Sequence, residues 1–296
     1  MGTLKKGILM MKSKLRTYQN YIENHLEQCF CYDAPQKELF EAMRYSLLAG
    51  GKRLRGALCL AFCELCGGTK EDAIHFAAAL EMVHCYSLIH DDLPCMDNDD
   101  YRRGKLTNHR VYGEAKAILA GDALLTAAFD ELAKANLPAE RVVKAVKTLA
   151  YCSGELGMVG GQILDMDAEQ RPCTVQEVYD IQSRKTGALI CASCCLGVIA
   201  AGGSDQEVEA ANQYAKSLGL AFQIRDDILD VIGDAEKLGK ATGADEKKNT
   251  FVRIFGIERC EEMVSEETQK AIRSLDIFEN AEFPIALALE MEHRDH

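Results

Sequence analysis

The fold turns on one stretch, FAAALEMVHCYSLIHDDLPCMDNDDYRRGK, residues 76–105. Its first half, Phe76 to Ile89, is a mostly apolar helical run. Its second half packs Asp91, Asp92, Asp97, Asp99 and Asp100 into ten residues, followed at once by Arg102 and Arg103. Crowded acids repel one another and ionise with difficulty unless a counter-cation is present. Alone, such a run reads as a solvated helix end. Two features oppose that reading. The acids follow an apolar segment, which puts them at the mouth of a core. A second cluster, Asp226-Asp227-Ile228-Leu229-Asp230, also follows an apolar run, Leu218 to Ile224. Two such clusters at the ends of buried helices point to a shared polyvalent metal site.

Composition narrows the function classes. The chain has 296 residues, of which 48% are apolar, enough for a sizeable core in one large domain or two ordinary ones. Its net charge is −12, which argues against nucleic acid as a partner, since phosphate contacts need a basic surface. It also disfavours general attraction to anionic membranes. Thirteen cysteines are an odd number, and most lie in apolar helical stretches, as Cys59, Cys85, Cys194 and Cys195 do, where a free thiol behaves as a small hydrophobe. Cys63-Glu64-Leu65-Cys66 has no second such pair or nearby histidine pair, so no structural zinc is expected there. No apolar run approaches a membrane span, the start of the chain has no convincing signal peptide, and a reducing cytoplasm is the expected setting.

Helical periodicity dominates the chain, and sustained β-type alternation is almost absent. Helices are expected over Lys12–Cys31, Gln36–Leu48, Leu54–Cys66, Lys70–Asp92, Val111–Ala135, Ala139–Leu156, Val175–Ala201, Gln206–Ile232, Glu258–Ser274 and Ile277–Arg294. Glycine pairs such as Gly50-Gly51, Gly67-Gly68, Gly160-Gly161 and Gly202-Gly203 read as connectors. Gly233–Thr250 reads as one long polar loop, and its position after the second acidic cluster favours a functional role. No composition shift marks a boundary. The expectation is a single all-α catalytic domain, residues 1–296, of roughly ten helices.

The residue types at the two clusters define the chemistry. On a helix, Asp226 and Asp230 share a face, with Gln223 one turn earlier and Asp227 about 100° round. Pro94 interrupts the first helix, which lets Asp91 and Asp97 face one point. Such oxygen-only donors suit Mg²⁺ or Mn²⁺, and Mg²⁺ commonly shares its shell between carboxylates and substrate phosphates. Two facing clusters would hold several ions and hence a polyanion such as a diphosphate. Gly50-Gly51-Lys52-Arg53-Leu54-Arg55 opens a helix, whose backbone N–H groups favour an anion. Lys185-Thr186-Gly187 opens another. His84 lies two turns before Asp91 on the same face, where it is either a core histidine or a site residue.

With these motifs in place, the chain resembles the trans-isoprenyl diphosphate synthases, and among them the bacterial enzymes that make farnesyl diphosphate. The resemblance rests on GGKRLR (Gly50–Arg55), EMVHCYSLIHDDLPCMDNDDYRRGK (Glu81–Lys105), AGDALL (Ala120–Leu125), GGQILDM (Gly160–Met166), KTG (Lys185–Gly187) and FQIRDDILD (Phe222–Asp230), in family order over most of the chain. It implies helices around a deep central cavity, and a homodimer. It implies that Asp91, Asp92 and Asp97 with Asp226, Asp227 and Asp230 hold Mg²⁺ ions on an allylic diphosphate. Arg102, Lys185, Thr186, Gln223 and Lys240 match contacts to that diphosphate. Lys52, Arg55, His84 and Arg103 match the isopentenyl diphosphate site. Lys248 matches a further allylic-site lysine, although Lys248-Asn249-Thr250-Phe251-Val252 departs from the family's Lys-x-Thr-Tyr-Pro. Relatives often end in a basic tail. This chain ends Glu292-His293-Arg294-Asp295-His296, and no tail residue is carried over.

The resemblance also bears on product length. Tyr86 lies five residues before Asp91, about 7.5 Å along a helix, where a phenol ring can act as the floor for a growing apolar tail. With a Leu-Pro insertion in the first motif, an aromatic at this position goes with the fifteen-carbon product and a smaller residue with the twenty-carbon one. Ser87 beside it leaves Tyr86 as the bulky element. A core aromatic unrelated to the tail is the plainer alternative. Other readings stay open: a geranyl or geranylgeranyl synthase, a terpene cyclase, a non-catalytic prenyltransferase subunit and an acidic metal buffer. The paired basic sites and the two intact aspartate motifs weigh against the last three.

Overall fold

Thr69 starts the helix that carries the first acidic cluster. Its hydroxyl accepts from the Asp72 N–H, and the Asp72 carboxylate accepts in turn from the Thr69 N–H, a reciprocal cap that satisfies two otherwise free donors. The computed structural model describes residues 2–169, 171–238 and 249–294. In it the chain is helical almost throughout: α1 (Gly2–Leu26), α2 (Lys37–Leu47), α3 (Leu54–Leu65), α4 (Lys70–Asp91), α5 (Asn108–Tyr112), α6 (Glu114–Ala133), α7 (Ala139–Ser153), α8 (Met158–Ala168), α9 (Val175–Gln182), α10 (Ala188–Ala201), α11 (Asp205–Leu238), α12 (Phe251–Phe255), α13 (Ile257–Ser274) and α14 (Glu282–Glu292). A π-turn, Ser183–Gly187, joins α9 to α10.

Helices α3, α4 and α10 form the centre, and their buried residues fall on every side. That is why their sequences are apolar all round rather than striped. Helix α4 packs on α6, α3 and α10; α10 packs also on α7 and α11; α11 packs on α13. Gly197 makes the α3–α10 approach possible, since a Cβ there would collide with the Cys59 carbonyl and the Phe62 side chain. A smaller apolar cluster, with Val178, Ile224, Ile228, Phe251, Met263 and Val264, ties α9, α11, α12 and α13 together. The thirteen cysteines are free thiols.

The helix count exceeds the expected ten for identifiable reasons. Gly113, at φ +86°, splits the expected Val111–Ala135 into α5 and α6. The π-turn divides Val175–Ala201. That whole run is long and apolar enough to cross a membrane, contrary to expectation, but 72% of its most apolar window is buried in the protein, as in a core helix. Gly160-Gly161 lies inside α8 rather than in a connector. Helix α11 continues to Leu238, so the first part of the expected polar loop is helical. Two short strands, Tyr101–Arg102 (β1) and Lys105–Leu106 (β2), pair antiparallel with Arg102 opposite Lys105. The two turn residues, Arg103 (φ +53°) and Gly104 (φ +76°), both adopt the left-handed conformation that closes a tight hairpin.

Candidate active site

Helix α4 ends at Asp91, and the chain then turns back so that the Asp97 N–H donates to the Asp91 carbonyl at 2.8 Å. This turn, containing Pro94, brings Asp97 beside Asp91 as the spacing predicts. Burial pushes the Asp91 carboxyl up to about 6; Asp97 and Asp92 add to the shift, while Lys185 and Arg102 oppose it. A carboxylate so placed is short of positive charge, and an oxygen-only donor set of this kind fits a hard divalent cation. Asp92 is differently engaged. It is 3% exposed, and Arg102 grips its Oδ1 from Nε at 2.7 Å and from Nη2 at 2.6 Å. The arginine expected at a diphosphate is therefore already paired with an aspartate of the same motif.

Asp91 opens into a cavity of about 580 Å³ that is also lined by Arg55, His84, Tyr86, Ser87, Lys185 and Thr186. Leu93, Met96, Ile118, Met158, Ile163 and Met166 make most of its remaining wall apolar. Tyr86 is 6% exposed, and its ring stands edge-to-face against His90 at 5.7 Å. Burial and the nearby Asp91 push its hydroxyl up to about 12. Ser87 donates to the His84 carbonyl at 3.0 Å, which turns its hydroxyl back onto its own helix. Lys185 sits in the π-turn, where Gly161 of α8 allows the backbones to meet, since a Cβ at Gly161 would collide with the Lys185 backbone. Its Nζ is held by Asp165 at 2.6 Å. Asp165 lies within a quoted motif, yet its role shows only once α8 and the π-turn are packed together.

Beside this cavity is a basic cluster. His84 lines both the large cavity and a small one of about 40 Å³ shared with Arg53, Arg102 and Arg103. Burial drives the His84 imidazole well below its ordinary range, and Arg55, Arg103, Arg53 and Arg102 all push the same way. Burial and Arg103 likewise lower Arg55, whose buried Nε has no hydrogen-bond partner. Cations gathered around a neutral imidazole make a receptor for an anion. Arg103 is aimed by its left-handed backbone and donates to the Gly50 carbonyl. Arg53, to which the sequence assigned no part, is the anchor of this loop. It is 5% exposed and binds Glu23 at 2.6 Å, Glu81 at 3.5 Å and the Leu47 carbonyl at 2.5 Å. Lys52 beside it is exposed and partly opposes the burial that raises the Asp226 carboxyl, which links the loop to the second cluster.

The second cluster divides between two tasks. Burial raises the Asp226 carboxyl, and Asp230, one turn further along α11, adds to the shift. Gln223 is half-buried one turn earlier. Asp227 also reaches a neighbouring element: its Oδ2 accepts the Phe251 N–H at 2.8 Å and so caps α12. Arg294 is the residue that reading the sequence missed. Its guanidinium donates to Asp226 Oδ1 and lies over the Phe222 ring at 4.9 Å. Lys240 and Lys248 lie outside the described residues.

Comparison with known proteins decides the family. The sequence matches the polyprenyl synthetase family over residues 36–282. The chain belongs to the polyprenyl synthetases. It is 45% identical to the farnesyl diphosphate synthase of Micrococcus luteus over 274 residues, 90% of this chain and 94% of that one. It is 46% identical to the chloroplastic geranylgeranyl pyrophosphate synthase of Capsicum annuum over 265 residues, 87% of this chain and 72% of that one. Among solved structures, an FPP/GFPP synthase from Zymomonas mobilis superposes with a TM-score of 0.86 at 35% identity, covering 96% of this chain and 99% of that one. The chain is thus a trans-isoprenyl diphosphate synthase with the all-α fold of that family. Its relatives carry both fifteen-carbon and twenty-carbon names, so membership of the polyprenyl synthetases leaves product length open.

Proposed function

We propose that this polyprenyl synthetase condenses isopentenyl diphosphate head-to-tail with dimethylallyl and then geranyl diphosphate to give farnesyl diphosphate. The observation that carries the fifteen-carbon product is Tyr86, a buried phenol on the cavity wall five residues inside Asp91. A tail anchored at the aspartates and growing down that wall meets the ring. The Micrococcus luteus relative named for this product supports the same reading.

Each residue has a part in the reaction. Asp91, Asp97, Asp226 and Asp230, with Asp92 behind the first pair, are the donors for Mg²⁺, with Mn²⁺ a workable substitute. Bound there, the metal would supply charge neutralisation for a departing diphosphate. Asp227 holds α12 against this face. Lys185, Thr186, Arg102 and Gln223 hold the allylic diphosphate, and Lys240 and Lys248 complete that set. Asp165 keeps the Lys185 ammonium at the cavity edge. Lys52, Arg55, His84 and Arg103 hold isopentenyl diphosphate, with His84 neutral and able to donate without adding charge. The allylic C–O bond breaks as negative charge grows on the leaving oxygen, where Lys185 and Arg102 stabilise it most. The apolar wall keeps water from the allylic cation. The isopentenyl double bond attacks the cation, and the released diphosphate takes the proton lost afterwards.

The second basic cluster favours this two-substrate reaction over a single-substrate terpene cyclase, which needs no receptor at Arg55, His84 and Arg103. Geranylgeranyl diphosphate is the second reading, favoured by the Capsicum annuum relative. We further assign residues 1–296 to one catalytic unit that works as a cytoplasmic homodimer. One incubation tests the reaction: dimethylallyl diphosphate and Mg²⁺, with and without isopentenyl diphosphate, products sized after dephosphorylation. A fifteen-carbon alcohol formed only with both substrates is expected. A twenty-carbon main product selects the second reading, and a cyclic product from one substrate rejects both.

A further inference from the structure

Away from the aspartates, α1, α4 and α6 bring four metal-ligating side chains together. His25 lies in the last turn of α1, and Cys29 follows four residues later. His75 lies on α4 and Glu131 on α6. His25 Nε2 and His75 Nδ1 approach the same oxygen, Glu131 Oε1, at 2.6 Å and 2.7 Å. The donor atoms of His25, Cys29 and Glu131 all lie within 4.8 Å of one another. Glu131 is 3% exposed, while both imidazoles keep about a quarter of their surface, 24% and 26%, open to solvent. Lys134 takes the other carboxylate oxygen, Oε2, at 3.2 Å.

We infer that His25, Cys29, His75 and Glu131 form a Zn²⁺ site that staples α1, α4 and α6, apart from the oxygen-only centre at the aspartates. Two imidazole nitrogens, one sulfur and one carboxylate oxygen are the donors of a tetrahedral zinc site and a poor match for Mg²⁺. With metal–ligand bonds of about 2.0–2.3 Å, tetrahedral ligands stand roughly 3.3 Å apart. His25 and Glu131 therefore separate by about half an ångström to admit the ion, and the His75 imidazole, which touches Glu131 but lies outside the close group of His25, Cys29 and Glu131, swings in as the fourth ligand. Each imidazole turns a lone pair to the metal at the atom now facing Glu131 and carries its proton on the other ring nitrogen. The Cys29 thiol releases its proton to solvent as the sulfur binds. In the structure that thiol donates to the His25 carbonyl at 3.6 Å. Lys134 stays on Oε2 and leaves Oε1 to the ion. His75 precedes Asp91 by sixteen residues on one helix, about 24 Å of axis, so the staple fixes α4 far from the chemistry. The C-x-x-C at Cys63–Cys66 takes no part. These ligands are scattered from residue 25 to residue 131, and only His25-x-x-x-Cys29 is visible as a local spacing.

Cobalt is the direct probe. The full chain is stripped of metal with a chelator and titrated with Co²⁺. The expected spectrum has a thiolate-to-cobalt charge-transfer band and the intense d–d bands of a tetrahedral site, saturating at one ion per chain. Cys29→Ser removes the charge-transfer band with an unchanged far-ultraviolet circular dichroism spectrum. His75→Ala weakens cobalt binding at least about tenfold. Zn²⁺ at about a hundredfold excess over its Kd raises the melting midpoint of the unsubstituted chain by about 5 °C, and Mg²⁺ alone does not. Absence of the charge-transfer band, its persistence in Cys29→Ser, or an equal zinc-induced shift in His75→Ala would overturn the site. None of these readouts depends on prenyl transfer.

Discussion

Arg294 donates to Asp226 Oδ1 and stacks over Phe222, so a cation already contacts a carboxylate proposed to hold a metal. The pair is partly buried, with side-chain exposures of 19% and 32%. Metal and guanidinium compete for one oxygen. Arg294→Gln removes the competitor and keeps a hydrogen-bond donor. The half-saturating Mg²⁺ concentration for turnover is then expected to fall about two- to fivefold, the scale of a partly exposed ion pair. A rise in that concentration would mean that Arg294 assists the charged complex instead.

On the proposed reading, Tyr86 is the floor at which chain growth stops. Tyr86→Ala deepens the cavity beneath Asp91 and should move the main product from fifteen to twenty carbons or more, read by chromatography after dephosphorylation. The ring is buried, so the substitution also costs about 2–4 kcal/mol of stability, less at a cavity wall than in a filled core. Product ratios are measured at a temperature where the variant is folded. An unchanged distribution removes Tyr86 from the role of floor.

Much of this centre is legible in the sequence because its parts are local. Helix α4 reads from an unbroken apolar run, the first aspartates from their position at its end, and the Asp226–Asp230 pair from helical spacing. Other parts depend on contacts between distant segments. Gly160-Gly161 signals a turn as readily as a close helix contact, and only the Lys185 backbone against Gly161 decides which. Asp227 is indistinguishable from Asp226 in composition, yet it faces the α12 N-terminus because it is one residue further round the helix. Arg53 sits between Lys52 and Arg55 in a basic run, and its burial with Glu23 and Glu81 makes it the scaffold rather than a contact. Arg294 has no motif of its own, and its partner lies 68 residues away.

The two aspartate clusters should fail together. Asp91→Ala and Asp226→Ala each remove a carboxylate from the proposed metal centre, and each should lower kcat at least about a hundredfold, the usual loss when one such group is deleted. Both substrates still bind through Lys185, Arg55 and Arg103, so dissociation constants measured by equilibrium dialysis should change far less. Near-normal turnover in both variants would sink the metal role. Asp227→Asn separates the third aspartate from this set: it should lower the melting midpoint through α12 while affecting kcat less than either alanine variant.

His84 makes the fold sensitive to acid. Burial and four surrounding arginines hold its pKa in the folded chain well below the unfolded value of 6.5. Above 6.5 both states carry a neutral imidazole, and the histidine has no pH-dependent effect. Below 6.5 the unfolded chain takes up a proton that the folded chain refuses, so stability is lost as pH falls, by up to about 1.4 kcal/mol per pH unit. The loss continues until pH reaches the depressed folded pKa. His84→Gln keeps an amide donor and removes the titration. Denaturant unfolding between pH 5 and 7 should then be flatter for the variant than for the unsubstituted chain by most of that slope, with the two curves parallel above pH 7.5. Equal slopes across the whole range would mean that the folded chain accommodates a charged His84, and the neutral donor assigned to the isopentenyl diphosphate site would be lost with it.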